Sequence, residues 1–581
     1  MKIQKEDNSF LILFKEEELS PEWDDLLLKE LKGSCRWYED KFGFVLPENE
    51  RTILAVRFLK EEYRAEVSAE VSEKLQAQEN IFKAKEEVDR YKPLYPLKQH
   101  QKEALEKVLI RPALALFHDP GLGKTKTILD MFLLRRNTEP DLKLFVICPN
   151  FLVLNWREEV KKHAPSLRFV PLHNGTDAKL KNLKIQADVY CTNVEGLAPR
   201  SYGIEYIGND GKVKIKKMKA DSFQRALTEF LGQGKFIGVI DESTSIKNPT
   251  AKTTKFCLSM KDLFRYRYIL TGTPIPNNLL DIWSQLSFLD SMATGFDKFH
   301  NFKTFHFEFT GEWQQTLVRV RFEKTLYENI GRWADIKKKE QCYDLPEKIY
   351  KVTYVEMLPA VRKKYDELIN RCKTEFQTMQ KQNVTIEKSH ILSKAQTLMQ
   401  VCKGFFFSQE FNGDMESPKV MNELHRIECS KYDTLLEILS SEYADSKCII
   451  WTTHIPERIL LTEFLTAKKV KFECLFPEMK AEEIQERIKK FQEGKITRLV
   501  CSLQSFNKGI TLTTADVEIF FSNTYNWEMR AQAEDRTHRI GTVKSPIYHD
   551  IITEKSIEEL IFRNLIKKGN FAQEFIEELT K

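Results

Sequence analysis

The chain carries no pair of cysteines at metal-ligand spacing. Its 11 cysteines are scattered through 581 residues without one CxxC, which argues against a zinc ribbon or finger and fits reduced thiols in an intracellular compartment. Long apolar runs are missing too. Residues 10–14 form a run of only five apolar residues between Asp7 and Glu16, too short for a signal-peptide core or a membrane span. A cytoplasmic protein without a membrane partner is therefore expected. An excess of one charge sign is nearly absent: 90 Lys and Arg against 85 Asp and Glu leave a formal net charge of +5. That is too mild to argue for nucleic acid from charge alone, so any basic surface must be local. There is no low-complexity tract and no fixed-period repeat, which excludes a solenoid or an array. What is present is a 42% hydrophobic chain, long enough for roughly three to four domains.

Residues 1–92 read as a separate α+β module. A strand is expected over 9–14, a helix over 21–31, and a hairpin from strands 35–38 and 42–46 joined by a turn at 39–41. A second helix is expected over 47–61. Residues 65–88, rich in Ala and Glu, read as a solvated linking helix that ends at Pro93 and Pro96. From 93 to 290, short β-branched or apolar runs (113–117, 144–148, 189–192, 236–240, 268–271) alternate with amphipathic helices. That alternation argues for a parallel sheet covered on both faces. Residues 202–219, with Asn209-Asp210-Gly211 at the centre, predict an inserted hairpin; its lysines read as a solvated ribbon. Residues 291–430 are mixed and largely helical. The alternating pattern resumes in 431–581, with runs at 447–452, 471–475, 498–502, 517–522 and 547–552. The expected fold class is α/β: two parallel-sheet lobes with helical insertions, plus the small N-terminal α+β domain.

The sharpest motif is HDPGLGKT, starting at His118. An apolar strand, a glycine-rich turn and a helix N-terminus in that order build a site for nucleotide phosphates, since turn N–H groups and the helix dipole both face the anion. Pro120, Gly121, Leu122 and Gly123 form the turn. Gly121 and Gly123 let the backbone approach phosphate oxygens that a side chain would block. Lys124 would reach the β- and γ-phosphates, and the Thr125 hydroxyl would bind Mg²⁺. His118 occupies the place of the first glycine of the strict pattern, leaving the shorter GxGKT form; a chance match in a surface loop is the alternative. The apolar run 236–240 ends in Asp241-Glu242. Carboxylates at the C-terminal end of a buried strand lie where ligands bind in this fold class. Asp241 would hold Mg²⁺ through water, and Glu242 would orient the attacking water. The competing reading is a pair of acids capping a helix, because DEST is also an N-cap signal. ATP and Mg²⁺ are the expected cofactors. Positive charge for phosphoryl transfer is offered by RAQAEDRTHRIGT, in which Arg536 and Arg539 share one helix face, although helical arginines are more often solvated.

Several blocks, in order, resemble the superfamily 2 DNA translocases of the Swi/Snf type. PGLGKT is similar to motif I, ICPNFLVLNWREEVKK to motif Ia, TNVEGL to Ib, and DESTSIKN to the DEAH-x-IKN block. LTGTPIPNNLLDIWSQLSFL resembles the family pattern almost throughout, QAEDRTHRIG from Gln532 matches motif VI, and Gln101 in LKQHQKEAL matches the adenine-reading glutamine. The blocks run from residue 97 to 541. The departures are Ser243-Thr244 in place of Ala-His, Phe506-Asn507 in place of paired glycines in motif V, and Tyr525-Asn526-Trp527 in place of Trp-Asn-Pro.

This resemblance implies two RecA-like lobes that clamp one ATP. The phosphate turn would lie on the first lobe, and Gln532, Arg536 and Arg539 on the second. Thr271-Gly272-Thr273, as motif III, would couple the state of ATP to strand grip. The implied partner is duplex or branched DNA, held without regard to sequence. The implied activity is a DNA-dependent ATPase that translocates, in repair or fork processing in a bacterium or phage. A strand-separating DNA or RNA helicase, and a nucleotide-gated DNA-binding subunit of a larger defence complex, are the alternatives. The N-terminal order of strand, helix, hairpin and helix resembles the HARP-type module of annealing helicases, with a generic accessory domain as the other reading. Trp37, Tyr38 and Phe42 of its hairpin could stack on an unpaired base or pack on their own helix.

Overall fold

The computed structural model describes residues 1–7, 9–13, 36–38, 43–47, 50–62, 64–150, 152–198, 202–207, 213–218, 222–276, 278–310, 316–381, 388–411, 420–479, 481–506, 512–539, 542 and 544–567. Several expectations lie outside them: the helix over 21–31, the turns at 39–41 and 209–211, Phe42, Asn507 in motif V, and the end of motif VI at 540–541. The side chains of Trp37 and Tyr38 are likewise not described.

The described residues divide into two compact units. The first holds Met1–Leu116, Lys124–Leu270 and Trp283–Asp335; the second holds Phe117–Gly123, Thr271–Ile282 and Ile336–Lys581. In the first, a seven-stranded sheet runs in the order Ala334–Lys337, Ala113–His118, Tyr266–Leu270, Phe236–Asp241, Lys143–Cys148, Val189–Asn193, Phe169–Leu172. The pairings from Ala113–His118 through to Phe169–Leu172 are all parallel. Ala113–His118 and Phe236–Asp241 are buried at every position, the sign of central strands covered on both faces. The helix Lys124–Thr138 buries Ile128, Leu129 and Phe132, in one core with Leu114, Val146 and Val239.

The second unit contains a six-stranded sheet in the order Ile349–Val355, Ile547–Thr553, Val517–Phe520, Cys448–Thr452, Arg498–Ser502, Glu473–Leu475. Every pairing in it is parallel. These are two RecA-like lobes. The stretch 291–430 supplies an edge strand to each sheet, Ala334–Lys337 to one and Ile349–Val355 to the other, where mainly helix was expected. The helices Pro359–Lys381 and Lys388–Cys402 follow.

The N-terminal region is a five-stranded sheet, in the order Arg36–Tyr38, Gly43–Pro47, Ser9–Leu13, Lys2–Glu6, Glu66–Val67, with the helix Glu50–Glu62. The strands 36–38 and 43–47 pair antiparallel, as the hairpin pattern predicts. The helix Ala69–Arg90 is not a solvated linker: it buries Val71, Leu75, Ala84 and Val88. Val71 and Leu75 complete the N-terminal core, and Val88 belongs to the core of the first lobe. Tyr91, just past its end, donates its hydroxyl to Asp130, 2.8 Å away, in the phosphate-turn helix. The expected hairpin in the first lobe forms, Tyr202–Ile207 against Val213–Met218.

Candidate active site

Three neighbouring parallel strands, Ala113–His118, Tyr266–Leu270 and Phe236–Asp241, end at one edge of the first sheet. The phosphate turn follows the first, Thr271-Gly272-Thr273 the second, and Asp241-Glu242 closes the third. Parallel strands bring together segments more than a hundred residues apart, because all their C-terminal ends face the same way.

Gly121 and Gly123 both take positive φ, +88° and +79°, a conformation glycine adopts without Cβ strain, and the helix begins at Lys124. Pro120 sits against motif III. A Cβ built on Gly272 would lie 2.7 Å from the Pro120 Cδ, so any side chain at 272 must displace the phosphate turn or itself. Gly272→Ala is expected to cost about 1–3 kcal/mol through this overpacking, read as a lowered thermal midpoint.

Asp241 is buried at the end of its strand. Trp156 Nε1 donates to its Oδ2 at 2.9 Å, and the Glu242 backbone N–H donates to its Oδ1 at 3.0 Å. Burial pushes the Asp241 carboxyl up to about 6, helped by the neighbouring Glu242 charge and opposed by the Lys124 ammonium and the two N–H donors. A buried carboxylate beside a second one, stabilised chiefly by a lysine, has the donor chemistry of a hard divalent cation site, so Asp241 fits Mg²⁺. Among the described residues no group of three or more His, Cys, Asp or Glu is placed to hold a metal ion.

Glu242 is half-buried with φ at +51°, left-handed backbone that a non-glycine residue holds at a cost. It precedes the short 3-10 turn Ser243–Ile246, yet its side chain makes no capping bond to that turn. Ser243, where the family pattern has Ala, donates its hydroxyl to Gln285 Oε1 at 2.6 Å, in the helix that follows motif III. Gln101 is buried, and its Oε1 accepts from the Lys98 N–H at 3.0 Å, capping its own helix.

In the second unit, Gln532 lies buried on the helix Trp527–Glu534, and its carbonyl accepts from Arg536 Nε at 2.9 Å. Arg536 and Arg539 were expected on one helix face, but both lie past the end of that helix, in the turn that follows it, because the helix stops at Glu534; Arg536 is buried and Arg539 half-buried. Arg539 runs beside the phosphate turn: its Cγ is 3.5 Å from where a Gly121 Cβ would be. Sequence reasoning did not single out three further residues, Trp156, Lys339 and Arg530. Trp156 was visible as the one tryptophan of LNWREEVKK; the other two depend on long-range contacts.

A glycine turn and an Asp-Glu pair at one edge of a parallel sheet, in a chain that carries a second such sheet, define the class of tandem RecA-like folds. Comparison with known proteins narrows this. Residues 56–406 match the SNF2-related domain and residues 430–541 the helicase conserved C-terminal domain. The chain belongs to the SNF2-related family. It is 25% identical over 524 residues to the nuclear protein STH1/NPS1 of Saccharomyces cerevisiae, covering 86% of this chain and 36% of that one. It is 27% identical over 482 residues to an uncharacterized ATP-dependent helicase of Mycoplasma genitalium, covering 80% and 42%. The chain thus spans well under half the length of these relatives. Among solved structures, the SWI2/SNF2 ATPase core of Sulfolobus solfataricus in complex with dsDNA is 25% identical, covering 82% of this chain and 92% of that one, with a TM-score of 0.36.

Proposed function

We propose that this chain is an ATP-driven DNA translocase that hydrolyses ATP to move along or remodel duplex or branched DNA. The observation that carries the reading is the meeting of Lys124 and the Asp241-Glu242 pair at one sheet edge, in a chain of the SNF2-related family. In this reading Gln101 contacts adenine. Pro120, Gly121, Leu122 and Gly123 cradle the phosphates, and Lys124 pairs with the β- and γ-phosphates. Thr125 and Asp241 hold Mg²⁺, which when bound supplies positive charge to the phosphate oxygens. Glu242 orients the attacking water, while Arg536 and Arg539, set by Gln532 and its helix, stabilise the charge that develops on the transferred group. Ser243 and Thr244 can hydrogen-bond but cannot titrate as His does, so the coupling of hydrolysis to motif III differs here from the family pattern.

The DNA partner is held through its backbone and without sequence preference. Among the described residues no helix is long and apolar enough to cross a membrane, and we place the enzyme in the cytoplasm. The process we favour is repair, fork remodelling or annealing. The reading rests on the resemblance of the N-terminal sequence to the HARP-type module; of its elements the strands Ser9–Leu13, Arg36–Tyr38 and Gly43–Pro47 and the helix Glu50–Glu62 are described, with a further strand, Lys2–Glu6, ahead of them. The deciding experiment follows ATP-dependent displacement of a third strand from duplex DNA, beside unwinding and reannealing of a fork. Third-strand displacement without unwinding is expected. Unwinding of a plain duplex would favour a strand-separating helicase, and no displacement of any strand would favour a nucleotide-gated binding subunit.

A further inference from the structure

The segment 337–339 lies within the second compact unit, as do the phosphate turn 117–123 and motif VI. Asp119, the residue that opens the turn, donates its backbone N–H to the Lys337 carbonyl at 3.0 Å. Its carboxylate accepts from the Lys339 backbone N–H at 2.9 Å and from the Lys338 ammonium at 3.3 Å. The Lys339 side chain turns the other way. It is 7% exposed, and its ammonium donates to Asp535 Oδ1 at 2.5 Å and to the His538 carbonyl at 2.9 Å. The Asp535 carbonyl in turn accepts from Arg539 Nε at 2.8 Å, and Arg539 lies against Gly121. The contacts close a ring: Asp119, Lys339, Asp535, Arg539, Gly121, and back along the turn to Asp119.

We propose that Lys339 is a positioning residue for phosphoryl transfer, fixing Arg539 relative to the phosphate turn by bonding the turn with its backbone and the arginine segment with its ammonium. The inference deepens the nucleotide-hydrolysis reading and rests on it. Three features favour it over a mere staple of the fold. Lys339 grips two segments 196 and 220 residues away. It is buried although lysine is rarely so. And it bonds the same Asp535 whose carbonyl orients the arginine. The charged groups facing its ammonium are Asp535, Lys348 and Arg539; burial lowers its pKa and Asp535 opposes that. The Lys339 ammonium bonds both acceptors with separate N–H groups, and its charge strengthens the bond to the Asp535 carboxylate.

The test uses the whole chain and steady-state ATP hydrolysis with duplex DNA, comparing wild type, Lys339→Met, Lys339→Arg, Arg539→Ala and the double variant Lys339→Met/Arg539→Ala. Lys339→Met is expected to lower kcat about 10- to 100-fold, as a displaced catalytic group does, with KM for ATP within about twofold. Lys339→Arg should recover part of the loss. In the Arg539→Ala background Lys339→Met should add little, because both changes act through one group. A Lys339→Met kcat within about twofold of wild type, or a loss that multiplies fully with that of Arg539→Ala, would overturn the proposal. Should Lys339→Met lose its far-ultraviolet circular dichroism, Lys339→Gln, which keeps an N–H donor, carries the same cycle. A wild-type chain without ATP hydrolysis overturns the parent reading and this one together; an active wild type with an unaffected Lys339→Met overturns this one alone.

Discussion

Glu242→Gln is expected to lower kcat for ATP hydrolysis by about 10²- to 10⁴-fold, the usual loss when a positioned general base or water-orienting group is removed, while leaving nucleotide binding intact. The geometry argues for the size of the effect. Glu242 stands at positive φ at the end of a fully buried strand, where left-handed backbone on a non-glycine residue costs roughly 1–3 kcal/mol. A residue serving only to cap the following turn would not need that conformation, and its side chain makes no capping bond. Glutamine keeps the size and a hydrogen-bonding oxygen but loses the charge that polarises water. Had the side chain mattered only to the fold, Gln would serve as well as Glu. The check is single-turnover hydrolysis beside equilibrium binding of a fluorescent ATP analogue, which separates lost chemistry from lost affinity.

Arg530→Ala is expected to destabilise the second lobe by about 3–5 kcal/mol, the cost of breaking a buried ion pair by removing one partner. Arg530 bonds both Asp550 oxygens, at 2.5 and 3.0 Å, as well as Glu534 at 2.9 Å and Asn523 at 2.7 Å, and its guanidinium lies 3.3 Å from the Phe520 ring centroid. Asp550 is fully buried, so alanine leaves a carboxylate with no cation at this end. Burial alone would push the Glu534 carboxyl up, but Arg530, Lys348 and the Tyr350 hydroxyl together hold it below its ordinary value. Its contribution in the wild type is therefore present above the unfolded carboxyl pKa and lost as pH falls through the lowered folded value. In Arg530→Ala the sign reverses. Glu534 keeps its burial and loses its main cation, so protonation favours the folded state. The stability deficit of the variant should shrink as pH is lowered from 7 to 5. Urea denaturation at both pH values measures it; a deficit that does not change with pH would show that Glu534 does not depend on Arg530.

The parts of this fold legible in the sequence are those whose residues carry an unbroken signal. Ala113–His118 and Phe236–Asp241 are buried at every position, so their apolar runs announce central strands, and the glycine turn and acid pair at their ends announce the edge where chemistry belongs. Ile349–Val355 was hidden because it is an edge strand, with only Val355 buried, and its lysine, tyrosines and threonine blur the pattern among helices. Phe169–Leu172 carries Pro171, tolerated because it also lies at an edge, and proline argues against a strand in a sequence read alone. The helix Ala69–Arg90 looked solvated because its buried residues are few and serve two cores rather than one stripe. Within the candidate site, the residue types and local spacing of Lys124, Asp241 and Glu242 were legible. The bond from Trp156 to Asp241 and the ring through Lys339 were not, because they join segments far apart in the chain and no local period records them.

The most direct measurement is the ATP hydrolysis rate of the whole chain without nucleic acid and with single-stranded, duplex and forked DNA and RNA, with Lys124→Ala as the control. The account predicts a low basal rate, strong stimulation by duplex or forked DNA, and loss of both rates in Lys124→Ala. A healthy basal rate that no DNA alters, or turnover that survives Lys124→Ala, would contradict it.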